Sequence, residues 1–279
     1  MKADHVLRGT NTVLMYALLG FLTFLTPFPL FWMLNNSLKT NTEIFQNIFA
    51  LPTALHFENY AQAWTIGRLG PQFVNSVVYT VSSTVLILLL SSMMGFAFGK
   101  LPFRRSTKFL YGVLGLGILI SLQAILIPLF ILIRTLGMQD SHLGIVLVYT
   151  ALGLPIPVFL TTEFMKGVPD SLLESARIDG AGNLRILWSL VMPLLAPVLT
   201  TIAILNVLGV WNEFMLVLVL GNDKTNSISV GVYSFSSVTS QRYDRQLAAL
   251  VIAVFPVICA YLAFNKLITQ GVVAGAVKG

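Results

Sequence analysis

Six long apolar runs dominate this chain and leave it few ways to fold. They fall at roughly 12–34, 73–98, 109–133, 143–165, 195–219 and 247–266. Each exceeds the roughly 18 residues at which an apolar segment reads as a membrane span rather than a soluble core helix. Backbone N–H and C=O groups find no water in hydrocarbon, so each run is most simply a helix. The runs are too long, and their alternation too weak, for a β-barrel. A soluble all-helical protein is excluded by composition. Only 10% of the 279 residues are charged, against about 25% in a soluble domain, and mean hydropathy is +0.83. The expected fold is all-α, a polytopic transmembrane helical bundle of about six spans forming a single domain over residues 1–279.

Lys2 and Arg8 before an apolar stretch resemble the start of a signal peptide. The run continues to Leu34, past the about 7–15 residues of a signal core, and no small-residue cleavage site follows, so it reads as the first span. Six spans put both termini on one side. With that side inside, the inner segments hold Lys2, Arg8, Lys100, Arg104, Arg105, Lys108, Lys166, Arg177, Arg185, Lys266 and Lys278. The outer segments hold only Lys39, Arg68, Arg134, Lys224, Arg242 and Arg245. Basic residues favour the cytoplasmic side. The expectation is a multi-pass protein of the cytoplasmic (inner) membrane with both termini cytoplasmic. The net charge of +6 then marks a membrane face and implies no nucleic-acid partner. A single cysteine, Cys259, rules out an intramolecular disulfide. His5, His56 and His142 stand too far apart for metal-ligand spacing, so no metal site is expected.

The long inner loop, about 166–193, is polar and carries "KGVPDSLLESARIDGAGNLRILWSLVMP". Ser171 and Glu174 have the S-x-x-E spacing of a capping box after Pro169 and Asp170. The spacing predicts a helix from about Leu172 to Asp179, broken by Gly180 and Gly182, then a second helix running through Pro193 into the fifth span. Such a helix can lie in the lipid headgroups or fill a groove on a cytoplasmic partner.

At these residues the chain resembles the permease subunits of binding-protein-dependent ABC importers. Their signature loop reads E-A-A, three residues, G, nine residues, then I-x-L-P. Here it stands as Glu174-Ser175-Ala176, Gly180, and Leu190-Val191-Met192-Pro193, with small or apolar exchanges at Ser175, Leu190 and Met192. "NSLKT", "FENY", "NSVVYT", "GVWNEFMLVLVL" and the closing "VVAGAVKG" are similar to the carbohydrate branch, specifically to the shorter six-span subunit of the maltose-transporter type. The resemblance implies a type I ABC importer-like permease fold with a cytoplasmic coupling helix. It further implies a longer sister permease, ATP-binding subunits in two copies that hold ATP and Mg, an extracytoplasmic solute-binding protein, and no cofactor in this chain. Ser171, Glu174, Ser175, Ala176, Asp179 and Gly180 would form the ATPase-coupling element, with Ala176 letting the partner approach and Gly180 making the turn. The closing tail would reach toward the ATPase dimer, as related tails do.

Polar residues inside spans are functional by default. Glu213, with Trp211 and Asn212 beside it and Asn206 on the same helical face, is a candidate for the substrate pathway or its gate. It can equally be hydrated near the outer boundary or paired with another helix. Gln123 is a second candidate, for an interhelical hydrogen bond or a substrate contact. "GFAFGKLP" fails as a phosphate loop, because Met94 replaces the first glycine and Leu101 follows Lys100. No catalytic constellation is present, so the chain reads as a non-enzyme whose ATP hydrolysis sits on partner subunits. The alternative reading is a secondary transporter driven by an ion gradient through Glu213; it needs no docking helix and commonly shows repeated halves, and neither expectation is met.

Overall fold

The computed structural model describes residues 2–101, 104–235 and 242–276, with side chains described at 12, 14–101, 109–235 and 242–263. Every regular element among them is helical. The chain opens with α1 (Lys2–Leu25), α2 (Phe28–Ser37), the short α3 (Asn41–Gln46) and α4 (Glu58–Ile66), and the long α5 (Leu69–Lys100). Next come α6 (Arg104–Leu119), α7 (Leu122–Thr135), α8 (His142–Gly153) and α9 (Pro155–Lys166). Helices α10 (Asp170–Ile178) and α11 (Asn183–Ile186) lead through a π turn (Leu187–Val191) into α12 (Met192–Asn212). They are followed by α13 (Met215–Leu220), α14 (Ile228–Ser234) and α15 (Tyr243–Ala276). The last residues of the closing "VVAGAVKG", 277–279, and all its side chains lie outside the described residues.

Four segments are long and apolar enough to cross a membrane: Leu14–Ser37, α5, Asn183–Asn212 and Tyr243–Ala263. Two bent pairs bring the number to as many as six, if each pair is counted as one span. The third apolar run, expected as one helix, is broken between α6 and α7 by 111°, because Ser121 takes an extended conformation, φ −70° and ψ 145°. The fourth bends by 46° between α8 and α9, where Pro155 and Pro157 withdraw the N–H donors that an unbroken helix needs. The fifth run was expected at 195–219, fed by a second helix through Pro193. That helix does run from Asn183 into the span, but it stops at Asn212, where Glu213 turns extended at φ −70° and ψ 136°.

The chain divides into two compact units, Met1–Leu69 with Val232–Phe255, and Gly70–Gly231 with Pro256–Gly279. In the first unit the "NSLKT" and "FENY" motifs meet. Lys39 is fully buried, and its Nζ donates to Asn36 Oδ1 at 3.0 Å and to the carbonyls of Asn47 and Ile48 at 3.1 and 3.4 Å. Burial holds its ammonium below the usual lysine range. Those three oxygens let the cation be buried, and Asn59 Nδ2 fixes the backbone beside it by donating to the Ser37 and Lys39 carbonyls at 2.9 and 2.8 Å. The capping box that forms is here, between Thr40 and Glu43 at the start of α3.

In the second unit α5 is the central element. Gly95 and Gly99 let α9 approach closely: a Cβ at Gly95 would stand 2.3 Å from Thr161 Oγ1, and one at Gly99 would stand 2.8 Å from Met165 Cβ. This is the small-x-x-x-small packing of membrane helices. Thr161 Oγ1 donates to the Ser91 carbonyl at 2.8 Å across the same contact. One buried cluster joins Phe96, Met165, Val168, Leu173, Ile186 and Val191. Another joins Tyr79, Ile133, Ile145, Tyr149, Val217 and Leu220.

Candidate functional site: the polar helix and the cavity

Helix α10 begins at Asp170, two residues earlier than the S-x-x-E spacing predicts. The capping box of Ser171 and Glu174 does not form, because Pro169 (φ −60°, ψ 134°) is the N-cap and has no side-chain acceptor. Ser171 is thereby inside the helix, where its carbonyl accepts Ser175 Oγ at 2.8 Å. Asp170 in the first turn faces the positive end of the helix dipole instead. The helix ends as the glycines predict. Gly180 takes φ +79°, and the amides of Gly180 and Ala181 bond back to the carbonyls of Arg177 and Ala176, both at 3.0 Å, which is the Schellman arrangement.

One face of α10 is held and the other is open. Leu173 is buried, and Ala176, three residues on, packs against the same cluster. Ala176 is half-buried, and spacing of three puts it on the same side of the helix as Leu173. Ser171, Glu174, Ser175, Asp179 and Gly180 are exposed. Among the described residues no ion pair takes up the Glu174 carboxylate. The sequence reading passed over Ile178, which is 86% exposed at the end of the helix. Its only signal was an apolar residue within an otherwise polar "ARIDG".

From Gly182 the chain runs without interruption from Asn183 to Asn212. The π turn has a local cause. Pro193 has no N–H to offer the Ser189 carbonyl, and the ladder lengthens, with the Met192 amide bonding to Leu187 O. Helix α10 is thus joined by one continuous rod to α12.

A cavity of about 360 Å³ lies within the second unit. Three interruptions of the helices in the second unit open onto it. Ile120 and Leu122 flank the α6–α7 break, Gly153 and Pro155 the α8–α9 bend, and Glu213 and Leu216 the α12–α13 break. Irregular backbone at membrane depth is tolerated where it lines a cavity or is covered by protein. The wall is apolar apart from Tyr149, Asn206 and Glu213. Tyr149 Oη donates to Glu213 Oε2 at 2.8 Å, and the Leu216 amide donates to Glu213 Oε1 at 2.9 Å. Glu213 therefore ties α8 to the start of α13 while closing α12. Asn206 Nδ2 donates to the Ile202 carbonyl at 3.0 Å, and its side chain also borders an adjoining hollow of about 210 Å³.

The five pathway candidates separate accordingly. Asn206 and Glu213 share the cavity. Gln123 is exposed in the first turn of α7 and outside the lining. Trp211 is buried edge-on against Phe73, with ring centroids 5.6 Å apart. Asn212 is exposed, with Nδ2 on the Leu208 carbonyl of its own helix at 2.8 Å. Tyr149 was not anticipated, since nothing local in "LVYTAL" signals a partner 64 residues away.

Comparison with known proteins places these features together in one family. Residues 6–273 match the family described as binding-protein-dependent transport system inner membrane component. The chain is 32% identical over 253 residues to the diacetylchitobiose uptake system permease protein of Streptomyces coelicolor, covering 90% of this chain and 83% of that one. It is 34% identical over 253 residues to the probable starch degradation products transport system permease protein of Thermoanaerobacterium thermosulfurigenes, covering 90% and 91%. Its fold matches a chain of a bacterial ABC transporter involved in the import of the acidic polysaccharide alginate, with a TM-score of 0.80, 24% identity, and coverage of 95% of this chain and 98% of that chain. The all-helical chain with broken spans and an exposed polar helix belongs to the inner-membrane components of binding-protein-dependent transport systems.

Proposed function

We propose that the chain is the permease subunit of an ATP-driven importer and carries a sugar, oligosaccharide or related polyol across the cytoplasmic membrane by alternating access. The curated relatives, uptake permeases for chitobiose derivatives and starch fragments, support the carbohydrate class. The chain supplies no catalytic group; ATP and Mg sit on a pair of cytoplasmic ATP-binding subunits. A longer sister permease completes the pathway, and a solute-binding protein delivers substrate from outside. Both termini and α10 then face the cytoplasm, in keeping with the asymmetry of Lys and Arg along the chain.

One observation carries this reading: α10 is anchored on its own core through Leu173 and presents Glu174 and Ile178 outward. An 86%-exposed isoleucine beside a carboxylate is a knob with a polar rim, suited to a groove on a protein partner. A ligand shifts a conformational equilibrium only through unequal contact with the two states. Through the α11–α12 rod, the docked helix reaches Leu205 and Asn206 in the cavity wall.

The test is capture of an ATPase subunit from the protein's own cell extract by the tagged chain. Burying an isoleucine contributes about 2 kcal/mol, so Ile178→Ser should weaken capture by roughly thirtyfold, and Glu174→Ala should weaken it less. Capture of no ATPase by the intact, folded chain would sink the reading and favour the gradient-driven carrier centred on Glu213.

A further inference from the structure

We propose that Lys100 is a positioning residue that locks the docking helix to the second span, so that motion of α10 is delivered to the cavity through α5 as well as through its chain neighbours α9 and α12. The inference rests on the importer reading above and adds a third route of transmission to it.

Lys100 is the last residue of α5 and its side chain is only 6% exposed. Its Nζ donates to Asp170 Oδ1 at 2.6 Å and to the Val168 carbonyl at 2.6 Å. Asp170 is the first residue of α10, and Val168 lies in the turn before it. One ammonium therefore grips both the turn that enters the docking helix and its first residue, from a helix distant in sequence. An ordinary surface ion pair contributes little. Here the cation is buried and a buried carbonyl shares it, so removing the ammonium leaves oxygens without their donor.

The rest of α5 is built to carry what Lys100 holds. Gly99 and Gly95 seat it against Met165 and Thr161 with no room for a methyl group. Phe96 belongs to the same cluster as Leu173 of α10. Thirteen residues and about 20 Å up the helix, Ile87 presses on Gly153, where an added Cβ would stand 2.5 Å from Ile87 Cδ1. Gly153 lines the cavity. Two turns further, the ring of Tyr79 lies 6.3 Å from that of Tyr149, which holds Glu213. Close-packed interiors transmit displacement rather than absorbing it, so α5 forms a stiff link from the docking helix to the cavity wall.

The experiment uses the transporter as purified from its own cells through a tag on this chain, with Cys259→Ser and Leu205→Cys as background, and fluorescein maleimide as the probe. Leu205 lines the cavity and is 58% exposed. Trapping with ATP and vanadate should change the labelling rate by about fivefold or more, the lower end of ordinary coupling. Lys100→Met should leave ATPase capture within twofold of the parent while cutting the nucleotide response by more than half. Lys100→Arg should restore it. Asp170→Asn, at a 76%-exposed side chain, should give an intermediate loss and decides the matter if Lys100→Met does not accumulate. A full nucleotide response in Lys100→Met, or in Asp170→Asn where only that variant is made, overturns the strut. A parent complex that captures the ATPase yet shows no response overturns alternating access at this cavity, and the strut with it; failure of the parent to capture any ATPase overturns the docking reading instead.

Discussion

Replacing Gly95 by alanine should separate α5 from α9, and the contact geometry sets the size of the effect. The new methyl carbon would stand 2.3 Å from Thr161 Oγ1, 2.6 Å from Thr161 Cβ and 3.0 Å from the Thr161 carbonyl carbon. Thr161 cannot turn aside, because it is fully buried and its hydroxyl is engaged by the Ser91 and Pro157 carbonyls at 2.8 and 2.9 Å. The third contact is to backbone, so relief requires the helices to move apart. Overpacking of this kind costs about 2 kcal/mol, and losing the Thr161–Ser91 hydrogen bond costs about 1 kcal/mol more. The better helix propensity of alanine returns about 1 kcal/mol, leaving a net loss of about 2 kcal/mol. At about 2–4 °C per kcal/mol for a chain of this size, the thermal midpoint falls by about 4–8 °C. Gly112→Ala in α6 is the control: nothing lies within 4 Å of its added Cβ, so the midpoint should hold or rise slightly. Scanning fluorimetry of the detergent-solubilised protein reads both. A Gly95→Ala midpoint equal to that of Gly112→Ala would refute the close approach and, with it, the stiffness assigned to α5.

Two further expectations concern single side chains. Tyr149→Phe removes a hydrogen bond to a carboxylate, a loss of about 1.5–3 kcal/mol; the thermal midpoint should drop by more than about 3 °C, and a midpoint at the parent's value would mean that Glu213 does not depend on Tyr149. Glu43 is held down to about 2 by the Thr53 hydroxyl first, and by the Thr40 amide. A depressed carboxylate contributes stability that is complete above its unfolded value of about 4.3 and fades as pH falls toward about 2. Protection factors of amides 40–53 should therefore fall only below about pH 4, and Thr53→Ala should shrink that fall, because it brings the folded value closer to the unfolded one; a fall of unchanged size would count against the Thr53 bond.

The apolar runs were enough to read an all-helical, polytopic chain, because run length against bilayer thickness is a one-dimensional property. The turn at Gly180 was equally legible, since left-handed backbone all but requires glycine or asparagine. The break at Ser121 was not. Both halves, "GVLGLGILI" and "LQAILIPLF", are apolar, and an apolar run carries no periodic signal of where its helix stops. The S-x-x-E spacing occurs at Ser171 but a proline two residues earlier had already fixed the helix start; the box formed instead at Thr40, where nothing competes with it. Lys100 and Lys39 were visible only as charges counted toward topology. What they do depends on oxygens brought to them by folding, and pairings 70 residues apart leave no local trace in one sequence.

The convergence of three broken spans on one cavity is itself a physical argument. In hydrocarbon, each backbone group freed from a helix ladder costs several kcal/mol unless something satisfies it. Three separate breaks scattered over the lipid-facing surface would each bear that cost. Gathered around a hollow of about 360 Å³, they can be served by water or by a bound solute. Pro155 and Pro157 withdraw the donors that an unbroken helix would give the carbonyls of Ala151 and Gly153, and the ends of α6 and α12 leave further carbonyls without helical partners. Glu213 satisfies one freed donor, the Leu216 amide, and adds a carboxylate to the same wall. The breaks thus bring both kinds of freed group to the cavity, carbonyls from the helix ends and amides from the starts of α7 and α13. A polyhydroxylated solute, whose hydroxyls both donate and accept, serves both kinds of freed group, which is a chemical ground on which a carbohydrate suits this chain.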